Sequence, residues 1–371
     1  MVHLLNDSFD SERIKLLPEM TSKIIGAGNY IPSQTITNIF FDNHRFLDQG
    51  GQILKQDNAT IAYKLKEITG IEERRYASNE QVTSDLGYIA AKSAIEDSGI
   101  DPETLDYIIF AHNFGDVRFG TIQSDTVPCL ASRVKHFLQI QNNLCVAYDV
   151  LFGCPGWIEA MIQANAFIKS GIAKRCLIIG AETLSRVVDI HDRDSMIYAD
   201  GAGAVILELS NDGSGIKSHI SGSYTLKETD YLYFGKSYNN ESFADVKYIK
   251  MNGRKIYEFA LSNVPDAMKK CLDNSGYSIH QLNKIIIHQA NEKMDEAIVT
   301  RFYQLYDAPV PKNIMPMVIH KLGNSSVATI PSLLTMILKG ELPQHNIHKG
   351  DIVLFASVGA GMNINAFVYK F

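Results

Sequence analysis

Three side chains of this 371-residue chain have the chemistry for acyl transfer, although they lie far apart in sequence. Cys154 stands in "YDVLFGCPGWIEAM", His288 ends "KIIIH", and Asn324 stands in "LGNSSVATIP". A lone cysteine is ordinarily a buried small hydrophobe. Here a strand-like run enters small residues, and the residues after Cys154 read as a helix. The N–H groups at a helix start favour a thiolate and predict a lowered thiol pKa. Gly153 and Gly156 permit backbone and substrate to approach closely. A thiolate so placed can accept an acyl group by transthioesterification. His288 can donate through Nε2 to a developing enolate oxygen, and the Asn324 amide supplies a second donor. Alone, His288 reads as a core histidine and Asn324 as a helix cap. Together with the cysteine they read as one site.

The chain repeats itself in a way that would bring these residues together. "AAKSAIEDSGIDPETLDYIIFAHN" (90–113) and "AMKKCLDNSGYSIHQLNKIIIHQA" (267–290) align without a gap at an offset of 177. Each reads as an amphipathic helix, a Ser-Gly stop suited to a C-cap, a polar turn and a β-branched strand. "FGCPGWIEAMIQANAFIKSG" echoes "LGNSSVATIPSLLTMILKGE", and "KRCLIIGAET" echoes "GDIVLFASVG". The order strand, helix, strand, helix, strand recurs, which predicts two α/β halves with mostly parallel sheets. The boundary falls near 211–222, giving halves 1–215 and 216–371. Cys154 then has Asn324 as its counterpart, and a pocket between the halves would hold both, with His288.

Composition bounds the setting. Hydrophobic residues make up 46% of the chain and charged residues 20%, a folded and soluble balance. Five scattered cysteines, with no CxxC pair, suggest neither a disulfide framework nor a zinc site. The opening "MVHLLNDSFDSERIKLLPEM" lacks the pattern of a secretory leader, and no apolar run is long enough to span a membrane. A cytoplasmic protein is expected, without a membrane role. The formal charge of −6 argues against nucleic acid. It leaves room for an acidic partner docking on a local basic patch.

Several segments resemble the β-ketoacyl-acyl-carrier-protein synthase III family of thiolase-fold condensing enzymes. They are "SKIIGAGNYIPSQTITN", "TGIEERRYA", "DVLFGCPGWIEAM", "DRDSMIYADGAGAVILE", "IIIHQAN", "GNSSVATIP" and "SVGAGMNINAF". The resemblance implies a duplicated α/β fold in five layers, αβαβα, and a homodimer. It implies a ping-pong condensation with acyl thioesters and an acyl carrier protein as partners, and no cofactor or metal. Cys154 would carry the acyl group, and His288 and Asn324 would hold the enolate. Backbone N–H groups of Cys154 and, through "VGAG", of Ala360 would form the oxyanion hole.

Departures from the family pattern modify that reading. The Trp and Arg that grip the CoA adenine are Lys64 and Ile68 here, which argues against CoA as the first acyl donor. The loop that shapes the acyl pocket across the dimer carries Val127 where a bulky aromatic is expected, leaving room for a longer chain. Lys293 and Arg301, eight residues apart on a predicted helix, match carrier-docking positions. Arg254 and Lys255 extend the patch, although Glu258 replaces a further basic residue. Two alternatives remain: a ketosynthase joining two acyl chains into a cyclohexanedione precursor of dialkylresorcinols, and acyl transfer to oxygen or nitrogen. "IIGAGNY" lacks the third glycine of a dinucleotide fingerprint. "DIHDRD" reads as a solvated or salt-bridged loop rather than a metal site. Trp157 reads as packing behind the nucleophile.

Overall fold

The computed structural model describes residues 20–242 and 245–371. The opening segment, judged to lack a leader, lies up to residue 19 outside the described residues. Two sheets form the frame. The first has the order Thr21–Tyr30, Asp200–Ser210, Arg175–Thr183, Tyr107–Ala111, Val146–Val150. The second has the order Gly215–Ser223, Asn363–Lys370, Ile352–Gly359, Leu282–Ile287. In equivalent places the pairings have the same sense: antiparallel, antiparallel, then parallel. Where the first sheet adds Val146–Val150, the second keeps a single backbone bond, Ile285 N–H to the Ile314 carbonyl at 2.9 Å.

Each sheet is therefore mostly parallel in strand direction, with one reversed strand: Asp200–Ser210 in the first and Asn363–Lys370 in the second. The reason is local. Ile352–Gly359 and Asn363–Lys370 are joined by only the turn Ala360–Met362, too short for a crossover, so the second strand must run back. Arg175–Thr183 and Asp200–Ser210 are likewise joined by 3₁₀ turns without an α-helix.

Five layers result. Helices Thr83–Ser98 and Leu130–Phe137 cover the outer face of the first sheet. Gly253–Asn274 and Glu292–Gln304 cover the outer face of the second. Gly156–Lys169 and Thr329–Leu338, the two helices of the second sequence echo, lie between the sheets. This middle layer is apolar almost throughout, as an element buried on both sides must be. Trp157 packs there at 6.4 Å from the rings of both Phe355 and Phe367, which stack on each other at 4.4 Å. "IIGAGNY" proves to be strand. A Cβ on Gly28 would fall 2.3 Å from the Ala90 carbonyl oxygen, so its glycines seat helix Thr83–Ser98 close on the sheet.

The acidic stretch 189–194 is salt-bridged. Lys250 is buried, with Nζ 2.6 Å from Asp189 Oδ2 and 3.0 Å from Asp192 Oδ2. Lys250 lies on the hairpin strand Lys247–Met251, paired with Leu232–Lys236, so the ion pairs pin that hairpin to the first half. Among the described residues no helix is long and apolar enough to cross a membrane.

Candidate active site

A cavity of about 270 Å³ opens between the halves, and Cys154, His288, Asn324 and Ala360 all line it. Cys154 lies two residues before helix Gly156–Lys169, on the loop that leaves strand Val146–Val150. His288 follows strand Leu282–Ile287 and is anchored by its N–H to the Ala356 carbonyl at 2.9 Å. Asn324 reaches the site through backbone bonds to the first half: its N–H donates to Ile197 O and its carbonyl accepts from Ala199 N–H. Ser326 N–H donates to Asn324 Oδ1 at 2.8 Å, which leaves the Nδ2 donor for the cavity.

Two glycines set the backbone geometry. Gly153 has φ +70°, and a Cβ there would lie 2.8 Å from Ala360 N. Gly359 is extended, yet its Cβ would lie 2.5 Å from Cys154 N. Each glycine thus admits the amide that follows the other, and the N–H groups of Cys154 and Ala360 come from two abutting turns.

The electrostatics depart from expectation at the thiol. Burial pushes Cys154 up to about 11, with Glu182 contributing in the same direction and the Ser326 hydroxyl pulling down. The expected lowering is absent because the site excludes water more effectively than the helix start compensates. Burial also takes His288 down to about 4, so its ring is neutral near pH 7 and carries one N–H. A neutral imidazole still donates one hydrogen bond, from whichever ring nitrogen carries the hydrogen.

Sequence reasoning missed the roof and the floor. The hairpin supplies Leu232, Phe234, Ile249 and Met251 to the cavity wall, and Phe234 stacks on Phe114 at 4.9 Å. Asn113 and Ser326 also line the cavity. The repeat held a signal for Asn113: the offset of 177 pairs it with Ala290, which lines the same cavity.

The remaining expected residues lie elsewhere. Val127 does not line this cavity; it is 85% exposed, on the loop before helix Leu130–Phe137. Lys293 and Arg301 are exposed on helix Glu292–Gln304, and Arg301 Nη1 donates to the Leu261 carbonyl at 3.0 Å. Arg254 is paired with Glu258 at 2.8 Å, and Lys255 Nζ lies 5.2 Å from the Tyr231 ring centroid. Lys64 and Ile68 are exposed on helix Asn58–Thr69.

Comparison with known proteins agrees with this geometry. Residues 148–224 match 3-Oxoacyl-[acyl-carrier-protein (ACP)] synthase III, and residues 272–371 match the C-terminal part of the same family. The chain is 31% identical over 352 residues to the β-ketoacyl-[acyl-carrier-protein] synthase III of Staphylococcus haemolyticus, covering 95% of this chain and 99% of that one. It belongs to the β-ketoacyl-[acyl-carrier-protein] synthase III family. The solved synthase III of Thermus thermophilus superposes with a TM-score of 0.78 at 28% identity, covering 94% of this chain and 98% of that chain. The Aquifex aeolicus synthase III gives 0.77 at 29% identity, covering 94% and 100%. The priming β-ketosynthase of the R1128 polyketide pathway has the same fold at 22% identity, with a TM-score of 0.78 over 96% of this chain and 98% of that one. The chain is thus a thiolase-fold acyltransferase of the condensing type. Its family places it in fatty acid synthesis or a related pathway.

Proposed function

We propose that this enzyme joins an acyl group carried on Cys154 to a malonyl-type thioester by decarboxylative Claisen condensation. The observation that supports this most is the convergence of Cys154, His288 and Asn324 on one cavity, beside the abutting amides of Cys154 and Ala360. The Cys154 thiolate attacks the carbonyl carbon of an acyl thioester. The oxyanion sits at the two backbone N–H groups, and the donor's thiol departs. The malonyl-type thioester then enters and loses CO2. The electron pair of the broken bond becomes an enolate, whose oxygen takes hydrogen bonds from His288 Nε2–H and Asn324 Nδ2–H. The enolate carbon attacks the acyl-Cys154 carbonyl, the thiolate leaves, and a β-ketoacyl thioester is released.

Acyl carrier protein delivers at least one substrate, docking against Lys293 and Arg301, with Arg254 and Lys255 at the margin. The exposed basic side chains of helix Glu292–Gln304, close to cavity residue Met294, support this. The enzyme acts as a homodimer in the cytoplasm. The edge strand Val146–Val150 and the exposed Phe119, Ile122, Val127 and Leu151 offer the apolar surface that a second copy would cover. Val127 then contributes to the partner's acyl pocket. Five free cysteines suit a reducing compartment.

A panel of acyl-carrier and CoA thioesters with a malonyl thioester, analysed for product mass, tests the proposal. A β-keto product supports it, and an ester or amide refutes it. A cyclised product from two long chains would instead support the cyclohexanedione reading, which the apolar hairpin roof favours.

A further inference from the structure

Glu182 is fully buried near the end of strand Arg175–Thr183, and among the described residues the only hydrogen-bond partner of its carboxyl group is Asn113. Asn113 Nδ2 donates to Glu182 Oε1 at 2.6 Å and to Ser326 Oγ at 3.1 Å. Ser326 Oγ–H in turn donates to Cys154 Sγ at 3.3 Å. We propose that this chain is a thiolate-directing relay, in which Ser326 is a further catalytic residue and Asn113 and Glu182 are its positioning residues. The inference rests on the reading of Cys154 as the acylated cysteine.

The direction of the relay is set by donor and acceptor inventories. A serine hydroxyl has one hydrogen. When Ser326 Oγ accepts from Asn113, that hydrogen is left for the sulfur. If the Asn113 amide turned over, its oxygen would take the Ser326 hydrogen and the sulfur would lose its donor. Glu182 Oε1 selects the N–H end of the amide and so prevents this. The Ser326 backbone is committed to the arrangement as well: it holds φ +53°, in the left-handed region, with its N–H on Asn324 Oδ1. One residue therefore fixes the Asn324 amide through its N–H and the sulfur through its hydroxyl.

Glu182 also has to avoid repelling the thiolate. Burial pushes its carboxyl up to about 8, so near neutral pH it carries a proton; with that proton on Oε2, Oε1 stays the acceptor for Asn113. Glutamine is then a fair mimic, with an oxygen for Asn113 and no charge.

Losing a hydrogen bond to the charged sulfur raises the thiol pKa, equivalent to about a ten- to hundred-fold change in the ionisation constant. The thiolate fraction falls accordingly, while the remaining thiolate becomes more nucleophilic, with a Brønsted coefficient of about 0.4–0.5. Ser326→Gly, which suits the left-handed backbone, should therefore slow Cys154 alkylation by iodoacetamide about three- to ten-fold below the thiol midpoint. Because that midpoint lies near 11, both rates should rise about ten-fold per pH unit between about pH 7 and 10, with a constant deficit between them. A loosened or partly unfolded site would instead be alkylated faster. Asn113→Ala and Glu182→Ala should give smaller deficits of the same pH dependence, and both should vanish in the Ser326→Gly background. Glu182→Gln should recover most of the Glu182→Ala deficit.

An unchanged alkylation profile in Ser326→Gly and in Ser326→Ala overturns the relay. So does an Asn113→Ala deficit that persists in the Ser326→Gly background. Peptide mapping of the acyl adduct separates the two levels: an adduct on another cysteine sinks the reading of Cys154, whereas an adduct on Cys154 with unchanged profiles sinks the relay alone.

Discussion

Replacing Gly359 by alanine tests the abutting turns with a single carbon atom. The Gly359 backbone is extended, so alanine carries no conformational penalty there. The obstacle is space. The new Cβ would lie 2.5 Å from Cys154 N, 2.8 Å from Pro155 Cδ and 2.9 Å from Cys154 Cβ, whereas ordinary contact begins near 3.4 Å. They are a backbone nitrogen, a proline ring carbon and a Cβ, none of them a flexible side-chain tip. The nucleophile turn must move by close to 1 Å, a misplacement able to cost about a hundred-fold in rate. Overpacking of this kind costs about 1–3 kcal/mol in stability, which a folded domain tolerates. Stopped-flow measurement of acyl-enzyme formation, beside thermal melting, reads both quantities. The expected result is a folded protein acylated about a hundred-fold more slowly. Wild-type acylation by a folded Gly359→Ala variant would refute the proposed oxyanion geometry.

The same geometry predicts other outcomes. His288→Ala and Asn324→Ala should still form acyl-enzyme but lose CO2 release from the malonyl thioester by about a hundred- to a thousand-fold; unimpaired decarboxylation in both variants refutes the donor roles. Lys293→Glu should weaken turnover of carrier-bound substrate, more at low salt than at high, while sparing an N-acetylcysteamine thioester; equal losses on both substrates refute docking there. Lys250→Met leaves Asp189 and Asp192 buried without their cation and should cost about 3–5 kcal/mol in denaturant unfolding; a wild-type midpoint would contradict the account of the pinned hairpin. Glu182 should make the protein less stable as pH rises. Its native carboxyl keeps a proton up to about 8 that the unfolded chain releases near 4.5, so stability falls across that window. Glu182→Gln should therefore gain on wild type between those pH values, and a constant difference refutes the assignment.

The duplication and the meeting of Cys154, His288 and Asn324 at one cavity were legible because both leave local patterns. Strand Tyr107–Ala111 and its counterpart Leu282–Ile287 are β-branched runs after a Ser-Gly stop, and Cys154 and Asn324 stand at equivalent helix entries. The one reversed strand of each sheet was not foreseen, because alternation alone does not show which links are crossovers; the three-residue link Ala360–Met362 decides it in the second sheet. The thiol's upward shift was missed because burial is a property of the assembled cavity, not of the helix after Cys154. Glu182 gave no pattern at all, and for Asn113 the repeat offered only its pairing with Ala290. Their partnership joins strand ends 69 residues apart and exists only in three dimensions. The hairpin roof was equally hidden, since nothing local in "YLYFGK" and "KYIKM" shows that the Lys250 ion pairs hold them over the cavity.

The central claim is that Cys154 carries the acyl group and passes it to carbon. It is tested most directly by loading the enzyme with an isotopically labelled acyl thioester, mapping the adduct by peptide mass spectrometry, and chasing with a malonyl thioester. The predicted result is label on the Cys154 peptide alone, then its discharge with CO2 into a β-ketoacyl product. Label on another residue, or discharge as the free acid, an ester or an amide, would contradict it.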